Sequence, residues 1–209
     1  MTNPRIDEWV DSYYFDSNVQ KKLRKEFETQ KPFPYLQLKN FLQPEIAVAL
    51  LNALAEEEFT EKESDLFKLM QTSDFVSTQN ELIAEFRAVL ASKEFAKLMY
   101  AITGITTKAG EIDCNGSMYQ DSDFLLPHDD QLEGRKIAYM YYLSTMKPKD
   151  GGPLALFSSQ NKKPVKVVKQ LYPEFNSFTF FKVLPISFHE VQEVVAQKQR
   201  ISINGWFHG

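Results

Sequence analysis

The chain has 209 residues, 43% hydrophobic and 25% charged, with a net charge of −4. That is enough chain for a sizeable core, and it gives no overall basic footprint for direct nucleic-acid binding. No apolar run approaches a membrane span, and the single cysteine, Cys114, excludes an intramolecular disulfide and fits a reducing compartment. The expected location is therefore the cytoplasm, or also the nucleus in a eukaryote, with no membrane partner. Met1 to Tyr14 carry Asp7, Glu8 and Asp11 and no apolar segment, so no secretory signal is expected.

Val19, Leu23 and Phe27 recur every fourth residue and predict a surface helix over Asp16 to Thr29. Lys31-Pro32-Phe33-Pro34 ends it, and Tyr35 to Leu38 read as a short strand. Pro44 suits a first helical position, and Ile46, Leu50, Leu51 and Leu54 form that helix's apolar face. Thr60 to Thr78 read as a partly ordered connection or a short strand. Asn80 caps a helix carrying Ile83, Phe86 and Leu90; Ser92 caps another, which Gly104 stops. After Gly104 the character changes. Short β-type runs follow at Ile112 to Tyr119, Lys136 to Leu143, Leu154 to Phe157, Val165 to Val168, Ser177 to Leu184 and Arg200 to Phe207. Turn signals separate them, the pattern of an all-β sandwich or barrel. No repeat or linker interrupts the chain. The expectation is one α+β domain over 1–209, with a helical part to about 105 and a β core from about 106.

Pro127-His128-Asp129-Asp130 precedes the apolar run Ile137 to Leu143 and is placed at the start of a strand. Side chains at i and i+2 of an extended chain share a face, so His128 and Asp130 converge while Asp129 faces away. An imidazole and a carboxylate on one face are two-thirds of the triad that holds non-haem Fe(II). A surface turn with two solvated aspartates uses the same residues, so context must decide. The chain has three histidines. His208 is next to last, where chain ends fray, so His189 is the preferred third ligand. Arg200 and Ser202 share one face of the last strand. A guanidinium inside a β core needs an anion, and its planar fork matches a carboxylate. A structural ion pair would also satisfy it. Tyr142, on one face with Ala138 and Met140, and Tyr119 are candidate donors to the same carboxylate; both could equally be core aromatics.

H-x-D, a distal His and Arg-x-Ser on the final strand resemble the 2-oxoglutarate- and Fe(II)-dependent dioxygenases, prolyl hydroxylase branch. His128-Asp129-Asp130-Gln131-Leu132-Glu133-Gly134-Arg135 and Ser202-Ile203-Asn204-Gly205-Trp206-Phe207-His208-Gly209 look more narrowly like the ribosomal prolyl hydroxylases. Asp65-Leu66-Phe67-Lys68 and Gly151-Gly152-Pro153-Leu154 resemble that group too. The likeness runs from about Phe41 onward. Eukaryotic members of the group look like tandem proteins with a second, non-catalytic β-domain after the catalytic one, and this chain stops directly after Gly209.

The resemblance implies a double-stranded β-helix (jelly roll) with supporting N-terminal helices. It implies that His128, Asp130 and His189 ligate Fe(II). Arg200 then pairs with the distal carboxylate of 2-oxoglutarate, helped by Tyr142, Ser202 and Tyr119, and ascorbate is the reductant. The implied reaction hydroxylates a prolyl residue of a protein, with a small-subunit ribosomal protein as suspected partner, and yields succinate and carbon dioxide. Rival readings are an oxygenase acting on another protein or a small molecule, a zinc hydrolase, and a non-catalytic β-barrel binding module. The zinc reading lacks H-E-x-x-H and gives Arg200 no task. The binding module gives four matched residues no reason to persist together.

Overall fold

Helices start where side chains can satisfy the free N–H groups of a first turn. Asp16 accepts from Asn18 and Val19, Asn80 from Leu82 and Ile83, and Ser92 from Phe95. Gly104, at φ 70°, closes the last of these helices in the left-handed region, as the sequence predicts. The computed structural model describes residues 5–209; residues 1–4 of the opening stretch, read as lacking a secretory segment, lie outside them. In chain order the elements are α1 (Ile6–Trp9), α2 (Ser17–Thr29), β1 (Tyr35–Lys39), α3 (Pro44–Ala55), β2 (Thr60–Ser64), β3 (Phe67–Gln71), α4 (Glu81–Leu90) and α5 (Lys93–Thr103). The second part contributes β4 (Asn115–Tyr119), β5 (Phe124–His128), β6 (Arg135–Tyr142), β7 (Leu154–Gln160), β8 (Lys163–Leu171), β9 (Ser177–Lys182), β10 (His189–Val191) and β11 (Arg200–His208).

All pairings are antiparallel, in the order β1-β9-β6-β11-β4-β3-β5-β10-β7-β8, with β2 beside β3. One wing, β1-β9-β6-β11-β4, carries the helices on its outer face. The other, β5-β10-β7-β8, faces it across a cavity lined from both wings. The division into a helical first part and a β second part is therefore incomplete. β1 forms an edge of the large wing, and the β2–β3 hairpin joins the two wings. Thr60 to Thr78 is that hairpin followed by a 3-10 turn at Phe75–Ser77, a more ordered segment than its polar sequence suggests. Both faces of β2 are exposed, so its sequence carries no apolar alternation to read. The run read from Ile112 pairs regularly only from Asn115, with Ile112 making an isolated bridge to Phe207.

Alternation divides each central strand between two environments. Ile137, Tyr139 and Tyr141 of β6 and Phe178 and Phe180 of β9 pack under the helices with Phe41, Phe86 and Phe95. Ala138 of β6 and Phe181 of β9 turn instead toward Leu154 and Leu156 of the second wing. Phe178 is the hub of the helix-side core: its ring stacks on Phe41 at 4.6 Å and touches Tyr139, Phe95 and Phe180.

At the free edge, β8 is exposed along nearly its whole length. Two bulges, at Val168 and Val165, interrupt its pairing with β7. Each adds one residue, so lysines spaced three apart fall on a single face: Lys169 opposite Leu156, Lys166 opposite Ser158, Lys163 opposite Gln160. Phe178→Ala should destabilise the fold by about 3–5 kcal/mol. Urea denaturation checks this, and a loss below about 1 kcal/mol would show that Phe178 is not the hub of that core.

Candidate functional site

His128 is the last residue of β5, and His189 is the first of β10. Antiparallel pairing sets them directly opposite one another, with ring centroids 4.2 Å apart. The H-x-D pair thus ends a strand instead of beginning one. Asp130 lies just beyond β5, where the chain turns toward β6. The convergence read from the sequence still holds: Asp130 Oδ1 is 3.6 Å from His128 Nε2, and Oδ2 is 3.4 Å from His189 Nε2. The three donor atoms lie within 4.8 Å of one another. Asp129, read as facing away, also lines the cavity but stands outside this cluster, because the chain past His128 no longer alternates.

The second ring nitrogens fix which atoms are free. His128 Nδ1 lies 2.9 Å from the carbonyl oxygen of Leu126, and His189 Nδ1 lies 2.9 Å from that of Ser187. A carbonyl only accepts, so each Nδ1 carries a proton and each Nε2 is the ring nitrogen turned toward Asp130. Burial pushes the His189 imidazole down to about 4, against the pull of Asp130. Burial also opposes the Asp130 carboxylate, but His189 and His128 outweigh it and hold that group at about 2. Burial lowers His128 as well, but Asp130, the Leu126 carbonyl and Asp129 together outweigh it, and its pKa is raised. The result is one carboxylate and two imidazoles that turn Nε2 toward it, His189 held neutral, a set that suits a divalent transition metal.

The cavity has a volume of about 650 Å³, and Arg200, Tyr119 and Ser202 line it along with the triad. Arg200 is 1% exposed. Its Nε donates to the Gly152 carbonyl at 2.9 Å, and an Nη donates to the Tyr142 hydroxyl at 2.9 Å. Its guanidinium carbon is 5.0 Å from the ring centres of both Tyr119 and Tyr142. Among the described residues no carboxylate pairs with it, so the structural ion pair weighed from sequence is not there. A buried cation held only by neutral groups calls for an anion in the cavity. Gly152, at φ 67°, lets the Lys149–Pro153 turn aim its carbonyl at Arg200, which gives the Gly-Gly-Pro-Leu segment a task.

Tyr142 lies behind this wall; its hydroxyl donates to the Met140 sulphur at 3.7 Å while accepting from Arg200. Burial raises both tyrosines, Tyr119 to about 12, so they stay protonated donors at neutral pH. Ser202 donates to Asn204. His208 is not near the triad; its Nε2 is 3.0 Å from Asp113. Sequence reasoning missed Asn204 and Trp206, although alternation from Arg200 and Ser202 puts both on the cavity face. It also missed the cavity place of Lys62 and Phe67 of the β2–β3 hairpin, although the Asp65-Leu66-Phe67-Lys68 likeness pointed to that segment.

Residues 114–208 match the family model of the 2OG-Fe(II) oxygenase superfamily. The chain is 36% identical over 182 residues to a Mus musculus protein named prolyl 3-hydroxylase OGFOD1, covering 85% of this chain and 33% of the relative. A Xenopus laevis protein of the same name is 37% identical over 179 residues, 84% of this chain and 34% of the relative. This chain thus spans about a third of the length of these curated relatives. Among solved structures, a Pseudomonas putida prolyl-4-hydroxylase superposes with a TM-score of 0.71 at 18% identity, covering 90% of this chain and 98% of that one. A Trichoplax adhaerens prolyl hydroxylase, solved with a hypoxia-inducible-factor peptide fragment, gives 0.71 at 17%, covering 92% and 90%. The expected jelly-roll fold is therefore the fold observed. The two-histidine, one-carboxylate donor set and the buried Arg200 fit Fe(II) and 2-oxoglutarate, the metal and co-substrate of that superfamily. The chain carries a 2-oxoglutarate/Fe(II) oxygenase domain.

Proposed function

We propose that the chain hydroxylates a prolyl residue of a protein substrate. The observation that carries this reading is Arg200: a buried guanidinium without a carboxylate, in the same cavity as a His-Asp-His cluster. The names of the curated relatives support the prolyl side chain as target. A small-subunit ribosomal protein is the substrate class that the sequence blocks around His128 and Trp206 resemble.

In this reading His128 Nε2, Asp130 and His189 Nε2 would hold the metal at the cavity wall. When bound, Fe(II) with 2-oxoglutarate and oxygen supplies the oxidative decarboxylation that gives succinate and carbon dioxide and hydroxylates the substrate. Arg200 binds and orients the distal carboxylate of 2-oxoglutarate. Gly152 and Tyr142 hold the guanidinium in place, and the protonated Tyr119 hydroxyl, on the cavity wall, is able to donate to the same carboxylate, whereas Tyr142 acts through Arg200. Leu69, Leu125, Val191 and Phe181 keep the walls apolar and limit water near the reacting atoms. Ascorbate serves as reductant, and the reducing compartment inferred from the lone cysteine is where the chain works.

Three outcomes test this. Purified chain given 2-oxoglutarate, Fe(II) and candidate ribosomal proteins should produce succinate above the substrate-free rate and add the mass of one oxygen atom to one of them. No stimulation by any protein or peptide would sink the hydroxylase reading. Arg200→Ala should weaken 2-oxoglutarate binding by about 2 kcal/mol or more, roughly thirty-fold, with little change in metal affinity. Equal loss of both in titration calorimetry would remove its assigned role. Finally, proton and metal compete for His128 Nε2, whose pKa is raised from the ordinary histidine value, whereas Asp130 is already ionised. Metal affinity should thus be full above that pKa and fall as pH drops through it. Affinity that stays flat from about pH 8 to about pH 5 would contradict His128 as a ligand.

A further inference from the structure

The two sequence blocks that carry the narrow family likeness are 67 positions apart at their nearest, yet they meet at the mouth of the cavity. Arg135 begins β6, and Trp206 and His208 end β11. The Arg135 guanidinium carbon lies 3.4 Å from the centre of the Trp206 ring, a close stacked contact. Arg135 also reaches Asp113 at 3.9 Å, and Asp113 is held by His208 at 3.0 Å. The main chain ties the same corner: Gly209 N donates to the Gly134 carbonyl, and Asp113 N to that of Trp206. Gly205 permits the close approach, because a Cβ there would collide with the Asp113 carbonyl. The metal site as described uses none of these groups, although all of them bear on one indole.

That indole has a buried polar end. Trp206 Nε1–H has no hydrogen-bond partner among the described residues. A buried donor without a partner is costly, so its surroundings should contain an acceptor. Trp206 lines the cavity together with Asp130. Asp130 has two oxygens, one toward each histidine. A metal held between the imidazoles needs one of them. The other is then a carboxylate oxygen inside the protein that needs a donor.

We infer that Trp206 is a positioning residue for the metal: its indole N–H donates to the Asp130 oxygen that does not bind the ion, and Arg135 clamps the ring in that orientation. This rests on the reading of His128, Asp130 and His189 as the ligands. The bond selects one Asp130 rotamer, leaving a single oxygen for the metal. It also explains why Gly-Arg at the start of β6 and Gly-Trp-Phe-His at the end of β11 occur together: Arg135, Asp113 and His208 form the mount on which the indole is fixed.

The test uses Co(II) as probe, with the purified chain, Trp206→Phe and Arg135→Met. Phe keeps the aromatic surface and removes only the donor; Met keeps the reach of Arg135 and removes the stacking cation. Trp206→Phe should bind Co(II) about ten- to a hundred-fold more weakly. Its visible Co(II) absorption band should also shift, because the carboxylate is free to turn. Arg135→Met should shift the band the same way with a smaller loss of affinity. Trp206→Phe with unchanged affinity and band overturns the inference. So does weaker binding with an unchanged band, which marks general loosening. If Trp206→Phe does not fold, Arg135→Met decides by the same two criteria. Failure of the unsubstituted chain to bind Co(II) overturns the ligand assignment itself, a result distinct from either variant outcome.

Discussion

The register between β5 and β10 is the constraint on which the site depends. It sets His189 opposite His128 at the point where one strand ends and the other begins. A slip of one residue would turn His189 to the outer face of the wing and leave a single imidazole beside Asp130. Neither strand is long enough to hold this register alone. β10 spans only His189–Val191 and is held from its other side by β7. The apolar cluster of Leu154, Leu156, Phe181 and Tyr35, which packs the two wings together behind His189, therefore does more than bury surface. It fixes the pairing that defines the donor set.

The charge pattern of the cavity follows from the same layering. One inward row on β11, Arg200, Ser202, Asn204 and Trp206, faces the triad across the space between the wings. Burial acts on both sides in the same direction, suppressing ionisation of His189, Tyr119 and Tyr142 and leaving Asp130 and Arg200 as the charged pair of ends. An anionic chelator that spans from metal to guanidinium meets complementary charge at each end and protonated phenols beside the guanidinium.

Much of this was legible in the sequence because it is encoded in local chemistry. Helix caps at Asp16, Asn80 and Ser92 and the stop at Gly104 are matters of a few adjacent atoms. The His-Asp-His cluster could be read because the chain has so few histidines and because i, i+2 spacing survives even where Asp130 lies just past the strand end. What escaped was non-local. The β2–β3 hairpin owes its order to pairing with β4 and β5, and its exposed, charged β2 shows no alternation. Arg135 on Trp206 is a contact between distant blocks, visible as two unexplained motifs but not as one pair. The cavity role of Trp206 was within reach, since alternation alone places it with Arg200.

The bulged edge of β8 has a consequence for how copies of this chain meet. An open strand end of a sheet is a template for pairing with its own twin. If two β8 strands approached antiparallel about Lys166, Lys166 would face Lys166 and Lys163 would face Lys169, all on one face. Like charges directly opposite are destabilising, and here each contact on that face is one. The two bulges gather lysines that plain alternation would scatter between faces. The irregularity in the ladder works as a safeguard against self-templated stacking of the sheet.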